Sequence, residues 1–313
     1  MKSKTGIQDI GDPRWKRLRL QFLLPCFLCI PWFESFGRPA DRLNALGAQV
    51  REIGGVITEV RIRGAELTAD DYRMLGGITS LKSLNLGGKE TALTDEHLAM
   101  LSGLVNLEGF QSDGALLSDE GFRHFAAFKN LRRISLFHPS RDRKDFTGAG
   151  LAHLKACPKL AQLTFAGATA GDEAFKAVGQ ITQLKEFRQW HNWETAEAIR
   201  HLEKLPNLTA LKMGQRLAQW GVATKPSFDD ATLEVIARMK SLRRLDLQEA
   251  RLSYAGLARL KALPNLKELK VKWVATPPAD VERLRKLLPD VKISWEELTP
   301  ADEETYLVKK LRL

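Results

Sequence analysis

Apolar residues recur along most of the chain in copies of one pattern, and the period changes in the middle of each copy. A copy reads L-x-x-L-x-x-L-x-x-L-x-L, as in the stretch from Leu75 to Leu86. Spacing of three and four residues upstream is typical of a short helix, whereas the alternating L-x-L end is typical of a strand with one buried face. The pattern therefore predicts strands that alternate with short helices.

The first apolar residue of each L-x-L end marks where the copies lie. Six of the nine steps between these markers span 24 residues, and the other three are longer by two, five and ten residues. One unit cannot bury both its strand face and its helix face, so neighbouring units must stack. The markers are Val60, Leu84, Phe110, Ile134, Leu163, Phe187, Leu211, Leu245, Leu269 and Ile293.

This periodicity predicts an α/β solenoid of about ten 24-residue strand–helix units. Helices are wider than the ~4.8 Å strand spacing, so we expect a curved horseshoe with a concave parallel sheet and convex helices. Ser, Thr and Asp between strand and helix, such as Thr94-Asp95 and Ser118-Asp119, are expected to cap the helix starts. Asp95 and Asp119 also suit the positive end of a helix.

The two ends of the repeat array read as caps. A short helix over 40–46 and a hairpin over 50–62, turning at Gly54-Gly55, precede the first unit. A helix over 281–288 and a strand over 291–295 follow the last unit. We therefore assign residues 40–296 to the capped solenoid and residues 297–313 to a charged, loosely held C-terminal tail.

The repeat resembles that of leucine-rich-repeat proteins. The segments from Leu107 to Phe122 and from Leu160 to Phe175 follow the subtype that ends in [ST]-D-x-G-[LF], or close to it. This subtype is similar to the cysteine-containing repeats of F-box-type proteins and to related bacterial arrays. The resemblance implies the horseshoe fold over about residues 50–296, while the repeat itself serves many functions. The family's Asn or Cys after the strand is mostly alanine in this chain, and no F-box-like segment lies upstream.

Residues 1–39 form a basic leader with a short apolar segment. The apolar run 20–33 would make a helix of roughly 21 Å, shorter than the ~30 Å hydrocarbon core of a bilayer. A signal-peptide core, a short signal anchor and an interfacial or partly buried leader all remain open. Membrane association through residues 20–33 is therefore one expectation. Cytoplasmic, membrane-associated and exported locations stay open with it.

Composition narrows the class of protein without naming a function. The chain has 313 residues, 44% of them hydrophobic and 27% charged, which is ordinary for a soluble globular protein. Three cysteines exclude a disulfide-stapled scaffold and argue against a multi-cysteine zinc site. The net charge of +10 favours acidic partners mildly.

The sequence carries no signature of catalysis. HExxH, Walker A and G-x-S-x-G motifs are absent. Cys157 occupies a position that is apolar in other copies, so a buried structural thiol is a better account than a nucleophile. We therefore expect a non-enzymatic protein with no catalytic residues, no cofactor and no metal.

Binding is the function that the pattern favours. Residues that alternate with the buried strand positions face the concave side, and their identities vary along the array. Tryptophan beside arginine at 188–190 has the composition of an interface hot spot, and the longer insertions both follow strands, on one rim. The candidate partner-binding residues are Arg61, Arg63, Gln111, Phe137, Arg188, Trp190, His191, Lys212, Trp220 and Lys270.

We interpret the protein as a scaffold that binds an unidentified protein partner with its concave sheet and one insertion-bearing rim. Phe137 and Trp190 would bury apolar area, while Arg188 and Lys212 would pair with acidic groups of the partner. A solvated sheet face without a binding role is the plain alternative. Nucleic acid or another polyanion is the rival ligand, although the basic residues of the face are scattered.

Overall fold

The computed structural model describes residues 37–88, 93–141, 143–218 and 225–313, and Arg38–Leu313 form one compact unit. The predictions for residues 20–33 and for Trp220 lie outside the described residues. In the described part, eleven strands form one sheet whose strand order follows the chain. The strands are β1 (Gln49–Ile53), β2 (Val56–Arg63), β3 (Ser83–Gly87), β4 (Gly109–Asp113), β5 (Arg133–Phe137), β6 (Gln162–Ala166), β7 (Glu186–Trp190), β8 (Ala210–Met213), β9 (Arg244–Arg251), β10 (Glu268–Ala275) and β11 (Lys292–Trp295).

Short helices connect these strands. Several connections are 3₁₀ rather than α-helical, as over Glu120–Ala127, Ala149–Ala156 and Ala196–Lys204. The α-helices are α1 (Pro39–Ala45), α2 (Ala69–Gly76), α3 (Asp95–Met100), α4 (Asp172–Val178), α5 (Asp230–Ile236), α6 (Tyr254–Ala258), α7 (Pro278–Leu287) and α8 (Pro300–Asp302). With the parallel pairing of β2 through β11, this alternation makes a solenoid-like α/β fold.

The N-terminal cap agrees with the prediction. Helix α1 precedes an antiparallel hairpin of β1 and β2, with Gly54 and Gly55 at its turn, both at positive φ. Every strand after β2 pairs in parallel with its neighbours. The residues between the two apolar positions of each strand therefore lie in register from β2 to β11.

One core runs through the whole unit. Inward strand residues such as Leu84 and Leu86 are buried together with helix residues such as Leu75 and Leu98. Cys157 belongs to the same core and is fully buried. The helices that connect the strands therefore lie on the side of the sheet that faces this core, and we call the opposite side the open face.

The aspartates after the strands join neighbouring units rather than cap their own helices. Thr94 caps α3, whereas the Asp95 carboxylate accepts from the backbone N–H and the hydroxyl of Ser118 in the next unit, at 2.9 and 2.6 Å. The same contact recurs in the pairs Asp119–Thr147, Asp172–Thr195 and Asp230–Ser253. The predicted capping role thus passes to Thr94 and its equivalents, and the aspartates link one unit to the next.

The C-terminal segment is not the loosely held tail that the sequence predicted. Residues Glu303–Lys310 form a π-helix that packs on β9 and β10. Leu307 is fully buried, and the Tyr306 ring stacks on Trp273 with 4.8 Å between ring centroids. The charged composition of the segment suggested solvent exposure, but two of its leucines, Leu307 and Leu311, are buried against the solenoid.

Candidate functional site: the open face of the sheet

The outward residues of the strands form continuous rows across the open face. Arg61 pairs in register with Asn85, Thr164 with Arg188, and Arg188 with Lys212. The row includes five of the candidate residues, Arg61, Gln111, Arg188, Lys212 and Lys270, with Asp246 between the last two. Parallel pairing makes such rows unavoidable once the 24-residue period holds, because equivalent residues of neighbouring units then lie side by side.

A second row, two residues further along each strand, brings two aromatic residues together. Phe137 on β5 and Trp190 on β7 are both in register with Ala166 on β6, which lies between them. Because Ala166 is small, the two rings meet above it with 6.1 Å between centroids. The Lys212 Nζ lies over the Trp190 ring, 4.5 Å from its centroid. We call Phe137, Trp190 and Lys212 the aromatic cluster.

The absence of a side chain at Gly214 provides the space that the Trp190 side chain occupies. A Cβ atom at Gly214 would stand 2.5 Å from the Trp190 Cβ, which is far inside van der Waals contact. Phe137 and Trp190 are both half-buried, so each keeps accessible area on the open face. The aromatic cluster is therefore a supported surface feature, separate from the core beneath the sheet.

Arg188 is already paired within the chain. Its Nε donates to Glu186 on the same strand, and the Arg244 Nη2 reaches the same carboxylate from β9 at 3.4 Å. Gln162 donates to Glu186 as well, at 3.3 Å. The predicted pairing of Arg188 with a partner's acid must therefore compete with Glu186. Glu186 and Arg244 were not predicted, because they belong to a further outward row. That row lies two residues upstream of the row of Arg188, and the prediction did not include it.

A shallow pocket of about 190 Å³ lies between β7 and β10. Lys212 and Lys270 line it, and neither forms an ion pair with a carboxylate among the described residues at 4.0 Å or less. Burial lowers the pKa of Lys212, while Asp246 acts in the opposite direction. A carboxylate that entered this pocket would stabilise the charged form of Lys212.

A second hollow of about 280 Å³ lies over β3 to β7 and is mostly uncharged. Gln111 lies here, together with serine, threonine and asparagine side chains. The Asn85 Oδ1 is buried and has no hydrogen-bond partner in the described residues. Arg133 also lines this hollow, and its guanidinium lies beside Gly109. The open face thus changes from mostly uncharged side chains over β3–β6 to mostly charged ones over β7–β10.

The residue after each second-row position adopts a left-handed backbone in most units. Four of these residues are glycines, at 64, 88, 114 and 167, but His138, His191, Glu249 and Trp273 also have φ between 47° and 59°. Such a conformation is unfavourable for a side chain other than glycine. Three contacts hold these residues: His138 with Asp113, His191 with Glu249, and Trp273 with Tyr306.

His191 contacts a buried carboxylate. Its Nε2 lies 2.8 Å from the Glu249 Oε2, and its side chain is only 19% exposed. Glu249 is buried and also lies 4.0 Å from the Lys310 Nζ of the C-terminal helix. We predicted His191 as a partner-binding residue next to Trp190, and in the structure its ring links the end of β7 to β9 through Glu249.

The remaining candidates lie apart from the aromatic cluster. Arg61 and Arg63 are exposed on β2, and the Arg63 side chain covers Gly87 of the neighbouring strand. Lys270 is exposed on β10 and lines the smaller pocket. The structure thus brings Phe137, Trp190, Arg188 and Lys212 together and leaves Arg61 and Arg63 at the N-terminal end of the sheet.

A buried polar network closes the base of the longer insertion. The Ser227 hydroxyl donates to the Glu194 Oε1 at 2.9 Å, and the Ser227 N–H donates to the Gln215 Oε1 at 2.7 Å. The Glu194 Oε2 has no partner among the described residues. Burial raises the pKa of Glu194 to about 7, against the opposing effect of Arg216. The sequence offered no signal for this carboxyl beyond its polarity.

Cys157 is unsuited to nucleophilic chemistry. Its Sγ donates to the Phe125 carbonyl oxygen at 3.3 Å, and burial raises the pKa of the thiol to about 11. The thiolate, which is the reactive form, is therefore strongly disfavoured. Over the described ranges, no three His, Cys, Asp or Glu side chains are grouped as metal ligands. Within those same ranges, no helix has both the length and the apolar composition needed to cross a bilayer.

Comparison with known proteins assigns the chain to no family. No protein-family model matches the chain, and no curated protein is similar to it. Among solved structures, an internalin from Listeria monocytogenes is similar, with 14% identity over 77% of this chain and 87% of that chain. The TM-score is 0.33, so this likeness carries no argument about function.

Proposed function

We propose that the protein is a non-enzymatic scaffold that binds another protein through the open face of its sheet. The observation that carries this proposal is the aromatic cluster, in which Phe137 and Trp190 meet over Ala166 with Lys212 above the tryptophan ring. Half-buried aromatic side chains on rigid strands offer large contact area with little conformational freedom to lose. Tryptophan in such a setting is enriched among residues that dominate binding energy.

The charged end of the open face would set which groups of the partner fit. Lys212 and Lys270 line a pocket, and neither forms an ion pair at 4.0 Å or less among the described residues. Asp246 lies in register between the two lysines, so an acidic group of the partner would pair with one of them at the side away from Asp246. Arg188 contributes less than its position in the row suggested, because Glu186 already accepts its Nε–H. The partner's acid is thus expected at Lys212 rather than at Arg188.

The proposal includes the finer geometry of the array. About ten units in a horseshoe, with the open face concave, follow from strands ~4.8 Å apart packed against helices that need roughly 8–10 Å. Burial of Cys157 at an inward position suits a leucine-rich repeat of the cysteine-containing kind. The insertion-bearing rim belongs to the same proposal, since both longer insertions follow strands β5 and β8, which bear residues of the aromatic cluster.

The test compares capture of proteins from native lysate by the full chain and by a Phe137→Ala/Trp190→Ala variant. We expect the variant to lose a defined protein that the unaltered chain retains at high salt. Loss of the ring contact and of the cation–π contact should lower the free energy of unfolding by about 1–2 kcal/mol only. Thermal unfolding of both chains, followed by circular dichroism, checks that the variant is folded.

Tyr254→Ala is the matched control, because Tyr254 is also a half-buried aromatic with a cation above it, Arg283 at 3.7 Å, but lies on helix α6. It should retain the partner. Equal capture by the double variant, or an unfolded double variant, contradicts the proposal. Recovery of nucleic acid that washes off steeply with salt would favour the rival ligand instead.

A further inference from the structure

One edge of the sheet, where the strands begin, carries a row of basic residues. The residue before each strand from β3 to β10 donates its backbone N–H to the equivalent carbonyl oxygen of the preceding unit. These N···O distances are 2.8 to 2.9 Å, from the bond of Lys82 to that of Lys267. This ladder places the eight residues that precede β3 to β10 side by side. Five of them are basic, namely Lys82, Arg132, Lys185, Arg243 and Lys267, and we call these five the basic edge.

The cations of the basic edge are exposed and mostly unpaired. All five are exposed, and Glu108 is the only acidic residue of the row. Among the described residues Arg132 forms an ion pair, with Glu108 at 3.7 Å, while the other four form none at 4.0 Å or less. Ion pairs with helix residues neutralise many other surface cations, such as Lys176 with Glu173 and Arg200 with Glu197. The basic edge lacks this compensation.

The opposite edge, where strands end and helices start, carries acidic residues at equivalent positions of four units. Asp95, Asp119, Asp172 and Asp230 all lie on that edge, where they join neighbouring units. Acidic residues suit helix starts and basic residues suit helix ends, where backbone groups carry partial charges of the opposite sign. However, the five cations of the basic edge lie beyond the helices, at strand starts, so helix stabilisation does not account for them.

We propose that the basic edge binds an acidic segment of a polypeptide. This surface is distinct from the open face, and the inference goes beyond the proposed function. The five cations span the starts of eight neighbouring strands, β3 to β10, and a strand spacing of ~4.8 Å gives an extended line of charge. An extended acidic segment can place carboxylates at the cations and leave gaps where Ala161 and Thr209 interrupt the row.

The pattern favours an acidic polypeptide over nucleic acid. The row contains no aromatic side chain on which a base could stack, whereas single-strand binders use such platforms. A phosphate backbone carries a charge at every nucleotide and would meet Glu108 inside the row and Glu268 beside it. Acidic residues of a polypeptide are spaced by its sequence and can avoid both carboxylates.

The test measures binding of a fluorescein-labelled poly-glutamate peptide to the full chain by fluorescence anisotropy at low salt. The variant Lys185→Glu/Arg243→Glu/Lys267→Glu should bind at least about tenfold more weakly, since it replaces three of the five cations with carboxylates that repel the peptide. The control Arg141→Glu/Lys144→Glu/Lys225→Glu makes the same charge change at exposed residues near the strand ends. It should weaken binding far less.

Three results would overturn the proposal: no binding of the peptide, equal weakening in both triple variants, or tighter binding of a duplex DNA or of phosphatidylserine vesicles through the same three residues. Equal weakening would mean that net charge alone attracts the peptide. The Phe137→Ala/Trp190→Ala variant should bind the peptide as the unaltered chain does. Failure of the open-face proposal and failure of the basic-edge proposal are thus distinguishable.

Discussion

The contact between two neighbouring units requires glycine at position 121. A Cβ atom added at Gly121 would lie 1.8 Å from the Asp95 Oδ1, the oxygen that accepts a hydrogen bond from the Ser118 N–H. Gly121 has no positive φ, so glycine is needed there for space and not for backbone conformation. Gly256 stands in the same relation to Asp230, with 2.1 Å between the added Cβ and Oδ1.

A double-mutant cycle tests this contact. Gly121→Ala should lower the free energy of unfolding by about 1–3 kcal/mol, because the methyl group must displace the Asp95 carboxylate. Asp95→Ala should cost about 1–2 kcal/mol by removing the acceptor of two hydrogen bonds. Urea unfolding of the double variant should show a loss smaller than the sum, since no carboxylate remains to clash. Strict additivity would contradict the proposed contact.

Glu194 predicts a pH dependence of stability. The pKa of about 7 in the folded chain exceeds the ordinary value of 4.5, so the folded chain binds this proton more tightly than the unfolded chain does. Stability from this group is therefore present below about pH 4.5, decreases as the pH rises to about 7 and then stays level. The whole change amounts to about 3 kcal/mol.

Urea unfolding of Glu194→Gln at pH 4.5, 6 and 7.5 measures this contribution. Relative to the unaltered chain, the variant should gain about 3 kcal/mol of stability between the lowest and the highest pH. Glu197→Gln, at a residue whose side chain is 73% exposed, is the control and should show little change with pH. A flat difference for Glu194→Gln would mean that its carboxyl is solvated in the folded protein.

At the scale of the element, the C-terminal helix belongs to the solenoid. Arg251 on β9 pairs with Glu303, and Trp273 on β10 stacks on Tyr306. Glu249 lies near Lys310 as well as His191, so the helix also contacts the group that links β7 to β9. The segment covers the end of the sheet near β9 and β10, as terminal caps of repeat arrays do.

Substitutions at two neighbouring residues of this helix should change the free energy of unfolding by very different amounts. Leu307→Ala should lower the free energy of unfolding by about 2–4 kcal/mol, because Leu307 is fully buried and its removal leaves a cavity. Val308→Ala should change it by less than about 0.5 kcal/mol, because Val308 is 38% exposed. Thermal unfolding of the two variants side by side measures the difference. Equal stability would mean that the helix is not packed as described.

At the scale of the whole molecule, periodicity explains what was predictable from the sequence. Parallel strands, short helices and the N-terminal hairpin follow from local spacing and turn residues, and the structure has all three. Periodicity also indicated which residues would share a row, because equivalent positions in stacked units must be neighbours. These inferences needed only the spacing of apolar residues along the chain.

Side-chain partners were not predictable in the same way. Arg244 and Glu186 are 58 residues apart, and their contact depends on Ala210, the small residue that lies between them in the row. The turn of His191 toward Glu249 depends on a left-handed backbone that no local signal marked. The burial of leucines in the charged tail was not predictable either, because it depends on how the tail packs against the end of the sheet.

The separation of charge between the two edges has a consequence for encounters in solution. The five cations at the strand starts and the four aspartates at the strand ends contribute an electric dipole that runs roughly along the strands. In the field of a charged partner, such a dipole turns the protein before any side chain makes contact. Orientation of this kind raises the rate of productive collision without tightening the final complex, and salt weakens it over a Debye length of about 10 Å at 0.1 M.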